Sequence, residues 1–150
     1  MSIVGRAEVL AVAEKDGPAI DPAAKFDASK KVGDASWRRI DADAEGRLDL
    51  AASAGADASK VVYIHVPVTS ASDLPSRLVI DAPGPVRAWL GGKEITLSEA
   101  TADAPRSASL TIPKGTGDLL IRAGGPSLVA TFVADKPVEF GAGEAKVSSR

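Results

Sequence analysis

Alternating hydrophobic and polar positions run along most of the chain, and they predict β-strands rather than helices. The clearest case is KVVYIHVPVTS at residues 60–70, in which Val62, Ile64, Val66 and Val68 fall on one face. Successive residues of a strand point to opposite faces, and β-branched and aromatic residues favour strands. The opposite face also carries apolar residues, so both faces of this strand are predicted to be at least partly covered.

Shorter stretches of the same kind, separated by turn residues, fill most of the remaining chain. Besides 60–70, strands are predicted at residues 6–14, 76–82, 85–90, 93–97, 107–113, 117–123, 127–135 and 137–140. A further strand is predicted to begin at Leu48. Gly91-Gly92 suits a primed hairpin turn because glycine supplies the positive φ angles that such turns require. Eight or nine short strands at this spacing predict an all-β fold, a jelly-roll β-sandwich of two antiparallel sheets.

One domain is predicted, over residues 1–140. A chain of 150 residues with 45% hydrophobic residues can bury a substantial core, and it shows no internal repeat. Residues 17–36 are rich in Pro and Ala and lack sustained periodicity, so they are predicted to form a long connection. The N-terminal segment is expected to add an edge strand, and residues 141–150 to form a tail.

Composition removes several classes of function. A net charge of −2 without a basic stripe does not favour nucleic acid as a partner. The apolar run in residues 1–17 is short and interrupted by charges, so no membrane insertion is expected. With no Cys, and with His65 as the one histidine, no zinc site or nucleophile–base pair of the usual kind can be built. We expect a packed, hydrogen-bonded His65 and a protein that is not an enzyme.

The order of motifs resembles the galactose-binding-domain-like β-sandwich modules of bacterial glycoside hydrolases and large multidomain extracytoplasmic proteins. Those modules carry motifs close to V-x-V-W-L-N-G-K-x-V and L-x-K-G-x-N-x-L-L-V-K. The matching positions here are Trp89, Leu90, Gly92 and Lys93 in the first motif and Lys114, Gly115, Leu119, Leu120, Ile121 and Arg122 in the second. The resemblance covers residues 37–123, and it implies an accessory carbohydrate-binding module outside the cytoplasm. Gly91 and Gly117 replace the usual Asn of each motif, which keeps the turn but removes a side-chain ligand role there.

The hairpin around Gly91-Gly92 carries the candidate ligand-binding residues. Its register sets Trp89 opposite Glu94 and places Arg87 on the same polar face. In one interpretation, Trp89 stacks on a sugar ring while Arg87 and Glu94 bind hydroxyl groups. In the other, Trp89 covers the sheet or packs under a loop, and the charges pair across strands.

A second candidate site is the acidic segment 41–49. Asp41, Asp43 and Asp49 could supply oxygen ligands to a structural calcium ion, although position 52 is Ala where an EF-hand needs a bidentate Glu. The alternative is a solvated acidic turn. Trp37, the other indole, is predicted to be a core anchor, with a pocket at the loop end as the alternative.

Two functions remain open from the sequence. The first is a non-catalytic binding module, with carbohydrate as its ligand and no cofactor beyond the calcium ion considered above, accessory to a larger bacterial protein. The second is a structural or protein-interaction domain that packs against neighbouring domains or subunits. Six aromatic residues are few for a carbohydrate site, which favours the second. An exposed Trp89 in a groove would favour the first, and a buried ring would favour the second.

Overall fold

Two antiparallel β-sheets packed face to face make up the fold. A computed structural model gives the positions of residues 2–13, 20–23, 26–27, 29, 31–32, 35–51, 60–124 and 126–140. The predicted tail, residues 141–150, and parts of the predicted connection lie outside the described residues. No helix in the described part of the chain is long and apolar enough to cross a membrane.

Twelve strands are present in the described residues. The first sheet contains β1 (Ser2–Ile3), β4 (Leu48–Asp49), β6 (Leu74–Asp81), β9 (Arg106–Ile112) and β11 (Ser127–Ala134). The second sheet contains β2 (Arg6–Ala13), β3 (Arg38–Asp41), β5 (Lys60–Ser70), β7 (Val86–Leu90), β8 (Lys93–Ile95), β10 (Gly115–Ala123) and β12 (Glu139–Phe140).

The strand order is that of a jelly roll. From β5 onwards the chain passes between the sheets, leaving only the β7–β8 hairpin within one of them. This gives the orders β1-β11-β6-β9 and β5-β10-β7-β8, in which every pair is antiparallel. The predicted all-β sandwich is confirmed. The open side of the sandwich lies where β8 ends one sheet and β9 ends the other.

The main core fills the space between the sheets and follows the alternation along each strand. Val62, Ile64, Val66 and Val68 of β5 are 0–1% exposed, as their common face predicts. They belong to one cluster with the inward residues of the first sheet, among them Phe132. Burying an aliphatic or aromatic side chain contributes about 1.5–3 kcal/mol, so this cluster supplies most of the driving force for folding.

A second, smaller cluster lies on the outer face of the second sheet. Leu10 of β2, Tyr63 of β5, Leu120 of β10 and Trp89 of β7 are all buried there, together with Val32 from the chain that precedes β3. We call residues 20–37 the covering segment; it is described at 20–23, 26–27, 29, 31–32 and 35–37. The predicted connection therefore includes residues that pack on the sheet, and the second sheet is buried on both faces.

Two details differ from the sequence prediction. Twelve strands replace the predicted eight or nine. The pattern missed β1, which has two residues, and β3, whose four residues RRID include one apolar residue and show no alternation. The main N-terminal strand, β2, is not at an edge: it pairs with β5 on one side and with β3 on the other, so that β3 takes the edge.

Candidate functional site

The β7–β8 hairpin has the predicted turn and register. Gly91 and Gly92 have φ angles of +61° and +85°, the two positive values of a type I′ turn. The paired residues are Leu90 with Lys93, Trp89 with Glu94 and Ala88 with Ile95. Trp89, Arg87 and Glu94 are therefore brought together on the outer face of the second sheet, as the sequence predicts.

The indole of Trp89 is covered, however. Trp89 is 8% exposed and packs in the second cluster against residues of the covering segment. The turn itself meets this segment, because a Cβ atom added to Gly92 would lie 3.2 Å from the Cα atom of Ala23. A sugar ring cannot reach a buried indole face, so the expectation of an open stacking platform at Trp89 is wrong. The alternative interpretation, a Trp packed under a loop, describes its position.

Arg87 and Glu94 remain at the surface and bind each other. Nε and Nη2 of Arg87 donate hydrogen bonds of 2.9 Å to Oε2 and Oε1 of Glu94, a bidentate pair. The hydrogen bonds from Arg87 lower the pKa of the Glu94 carboxyl below its ordinary value of 4.5, and Glu94 raises the pKa of Arg87. Arg87 also lies over the indole, 5.0 Å from the ring centroid of Trp89. The indole thus supports a cation instead of meeting solvent.

His65 is packed and hydrogen-bonded. It is 3% exposed, and its Nε2 lies 2.8 Å from Oδ1 of Asp118 on β10. The ring stacks on Phe26 of the covering segment, with centroids 3.5 Å apart and planes 3° apart. Its Nδ1 has no hydrogen-bond partner in the described residues. Nε2 is therefore the ring nitrogen placed to donate a hydrogen bond to the Asp118 carboxylate.

All six aromatic residues lie in the described part of the chain, and none is exposed. Trp89 and Tyr63 are buried in the second cluster, and Phe132 and Phe140 stack in the main core. Phe26 and Trp37 are half-buried and meet edge to face, with ring centroids 4.9 Å apart. Trp37 is a partly buried anchor of the second cluster, not of the main core. None of the six aromatic rings is therefore placed as an exposed stacking platform.

The three acidic residues proposed for calcium do not converge. Oδ1 of Asp41 accepts a 2.6 Å hydrogen bond from Nε of Arg6. Oδ1 of Asp43 accepts hydrogen bonds from the backbone N–H groups of Glu45 and Arg47, and these bonds fix the turn that begins at Asp43. No group of three Asp, Glu or His side chains suited to a metal occurs among the described residues. The solvated acidic turn describes residues 41–47, and the structure gives no support to a calcium site there.

A cleft of about 650 Å³ opens between the sheets where β8 and β9 form their edges. Its walls include the half-buried aliphatic residues Leu90, Ile95 and Leu110, and charged side chains of Lys93, Glu94 and Lys114 lie around it. Sequence reasoning did not find this cleft, because it depends on which strands end each sheet. The weak alternation and short length of β8 were the only available signal of an edge strand.

Comparisons with known proteins support the fold alone. No protein-family model matches the chain, and no curated protein does. A crystal structure of a β-glucosidase from Kluyveromyces marxianus is similar to it, with a TM-score of 0.51 and 11% sequence identity. The likeness covers 86% of this chain and 17% of that chain. It is a likeness of β-sandwich fold to one part of a much longer protein.

Proposed function

We propose that the chain is a non-catalytic binding module that takes a carbohydrate in the cleft between β8 and β9, as an accessory part of a larger protein. The observation that carries the proposal is the cleft itself. Its volume of about 650 Å³ is within the range of small-molecule sites, which run from about 300 to 1,000 Å³. The resemblance of residues 37–123 to galactose-binding-domain-like modules is a second reason for proposing a carbohydrate ligand.

The lining suits a sugar better than a wholly apolar ligand. Leu90, Ile95 and Leu110 offer aliphatic surface for the C–H face of a sugar ring. Lys93, Glu94 and Lys114 offer one acceptor and two donors for hydroxyl groups. Because no aromatic residue lines the cleft, affinity for a single sugar unit is expected to be low, and a polysaccharide that offers many units is the better ligand.

Binding without catalysis is favoured by the acidic groups of the cleft. Among the described residues that line the cleft, Glu94 is the one carboxylate, whereas glycoside hydrolysis ordinarily needs two. Arg87 lowers the pKa of Glu94, which favours the ionised form over a proton donor. In the similar β-glucosidase this fold accounts for 17% of the chain, which suits an accessory role.

Affinity gel electrophoresis on neutral polysaccharides tests the proposal. The variant Lys93→Ala/Lys114→Ala removes both lysine donors of the cleft, and Lys136→Ala, an exposed Lys outside it, is the control. We expect at least one neutral polysaccharide to retard the wild type and the control but not the double variant. No retardation on a broad panel, or equal retardation of the double variant, would overturn carbohydrate binding in this cleft.

A protein-interaction domain is the second candidate, and the edge of β9 favours it. Among the described strands, β9 pairs only with β6, and its residues 108–112 line the cleft along their other side. Such an edge can accept an extended segment of a partner by strand addition. The variant Lys93→Ala/Lys114→Ala separates the two candidates, because it leaves the backbone edge of β9 unchanged: it should abolish glycan retardation but keep binding to a neighbouring domain.

A further inference from the structure

Two arginines lie side by side on the outer face of the second sheet. Arg87 of β7 and Arg122 of β10 are directly paired residues in the antiparallel register, and Tyr63 of β5 is the neighbour of Arg122 on its other side. Directly opposed residues have Cβ atoms about 4.5–5.5 Å apart, and like charges at such positions are destabilising. Their pairing therefore needs a compensating group.

The described residues supply one carboxylate for these two cations. Glu94 is paired with Arg87 through one hydrogen bond to each of its two carboxylate oxygens. Arg122 forms no ion pair with any described residue; its guanidinium lies over Tyr63, 6.0 Å from the ring centroid. A guanidinium held above an aromatic ring keeps its N–H donors free at the edges, where an oxyanion can accept them.

A surface recess of about 360 Å³ opens beside these two arginines. It lies at the end of the sheet where β5 and β7 begin and β10 ends, and Lys60 adds a third basic side chain to its walls. No Asp or Glu of the described residues lines it, and Val61 and Pro85 supply apolar surface. The chain as a whole has a net charge of −2, so this positive recess is a local feature and not the result of a basic protein.

We propose that this recess binds an oxyanion, the carboxylate or sulfate group of an acidic saccharide, through Arg122 and Arg87. Arg122 forms the main contact, because its guanidinium has no carboxylate partner among the residues whose positions are described, and Arg87 contributes the donors that Glu94 does not take. Guanidinium groups match the planar geometry of carboxylates and bind them through paired hydrogen bonds. The choice of a saccharide as carrier rests on the proposed function, whereas the oxyanion site rests only on the recess.

Affinity electrophoresis with polygalacturonate, dextran sulfate and neutral dextran tests this site in the full chain. Arg122→Gln removes the positive charge, and Arg122→Lys keeps the charge but lacks the planar, paired donors of a guanidinium. Arg77→Gln is the control, because it removes one charge from the exposed face of the other sheet. We expect Arg122→Gln to weaken binding of an acidic polysaccharide about tenfold or more, as for the loss of one charge-assisted contact, with a smaller loss for Arg122→Lys. Arg77→Gln should bind like the wild type. Thermal melting of each variant shows that it is folded.

The outcomes separate this site from the cleft. Retention on polygalacturonate or dextran sulfate that depends on Arg122 supports the recess as the oxyanion site, even when neutral polysaccharides are not bound. Comparing the two polymers shows whether the site binds a carboxylate or a sulfate. Retention on neutral polysaccharide alone overturns the recess and leaves the cleft. Equal weakening by Arg77→Gln would show a general charge effect and also overturn it. Equal Arg122-dependent binding of polyglutamate would overturn the saccharide as the carrier.

Discussion

The two glycines of the β7–β8 turn offer a matched test of the covering segment. An L-residue at positive φ costs about 1–2 kcal/mol, and replacing glycine recovers about 0.4–1 kcal/mol by restricting the unfolded chain. Gly91 has φ +61° and no atom within 4 Å of an added Cβ, so Gly91→Ala should lower the free energy of unfolding by about 1 kcal/mol.

Gly92→Ala carries the same conformational cost and adds a steric one. Its new Cβ atom would lie 3.2 Å from the Cα and 3.4 Å from the Cβ of Ala23, so the covering segment must shift by a few tenths of an ångström or move away. A partial loss of burial in the second cluster would add about 1–2 kcal/mol, a fraction of the value for one large apolar side chain. We therefore expect a loss of about 2–3 kcal/mol for Gly92→Ala.

Urea unfolding followed by tryptophan fluorescence measures both effects. Trp37 and Trp89 are the two tryptophans, and both belong to the second cluster, so the emission of the folded protein reports on the covering segment. Gly92→Ala should shift the folded-state emission to longer wavelength, while Gly91→Ala should leave it unchanged. Equal free energies and equal spectra for the two variants would refute the contact between the turn and the covering segment.

Four further predictions concern the candidate residues. Trp89→Ala should lower the free energy of unfolding by about 3–5 kcal/mol in urea, because the indole is 8% exposed; a loss below about 1 kcal/mol would argue against its burial. Arg87 lowers the pKa of Glu94, so the pair stabilises the fold above pH 4.5, and this contribution is lost as the pH falls through the lower folded-state pKa. Below pH 4.5, the unfolding midpoint of Glu94→Gln should thus depend less on pH than the midpoint of the wild type. Equal pH dependence of the two proteins would show that the pair adds nothing to stability. Diethylpyrocarbonate should modify His65 slowly in the wild type and faster in Phe26→Ala, since Phe26 stacks on the ring; equal rates would contradict the stacking. Calcium and EDTA should leave the melting temperature unchanged, and a calcium-dependent rise would show that residues 41–49 do bind the ion.

Strand positions were predictable because they depend on local pattern. The alternation in β5 separates Val62 and Ile64 from Tyr63 and His65. The structure buries the first two in the main core, Tyr63 in the second cluster, and His65 against Phe26. The register of the β7–β8 hairpin follows from Gly91-Gly92, since a two-residue turn fixes every pair beyond it. Apolar residues on both faces of β5 also indicated a cover on the outer side of the sheet.

The identity of that cover was not predictable. Phe26, Val32 and Trp37 are spaced irregularly in a segment rich in Pro and Ala, so no period links them to a strand or a helix. Val32 and Trp37 pack with Trp89 and Tyr63, and Phe26 stacks on His65, all of which are distant from this segment in sequence. The cleft likewise depends on which strand ends each sheet, and the recess is formed by β5, β7 and β10, which are neighbours in the folded sheet but not in sequence. For this reason the sequence pattern places Arg122 in a fold motif and not in a site.

Four of the six aromatic side chains are buried and the other two are half-buried, which limits their use as stacking platforms for a ligand. Aromatic rings contribute here by packing and by supporting cations: Trp89 lies under Arg87, and Tyr63 lies under Arg122. The polar groups that remain at the surface are therefore held in fixed positions by a buried layer. Fixed guanidinium groups select ligands by charge and geometry more than by apolar area. A ligand that offers oxyanions at repeated intervals would gain most from such a surface, because each weak contact adds to the next along the same polymer.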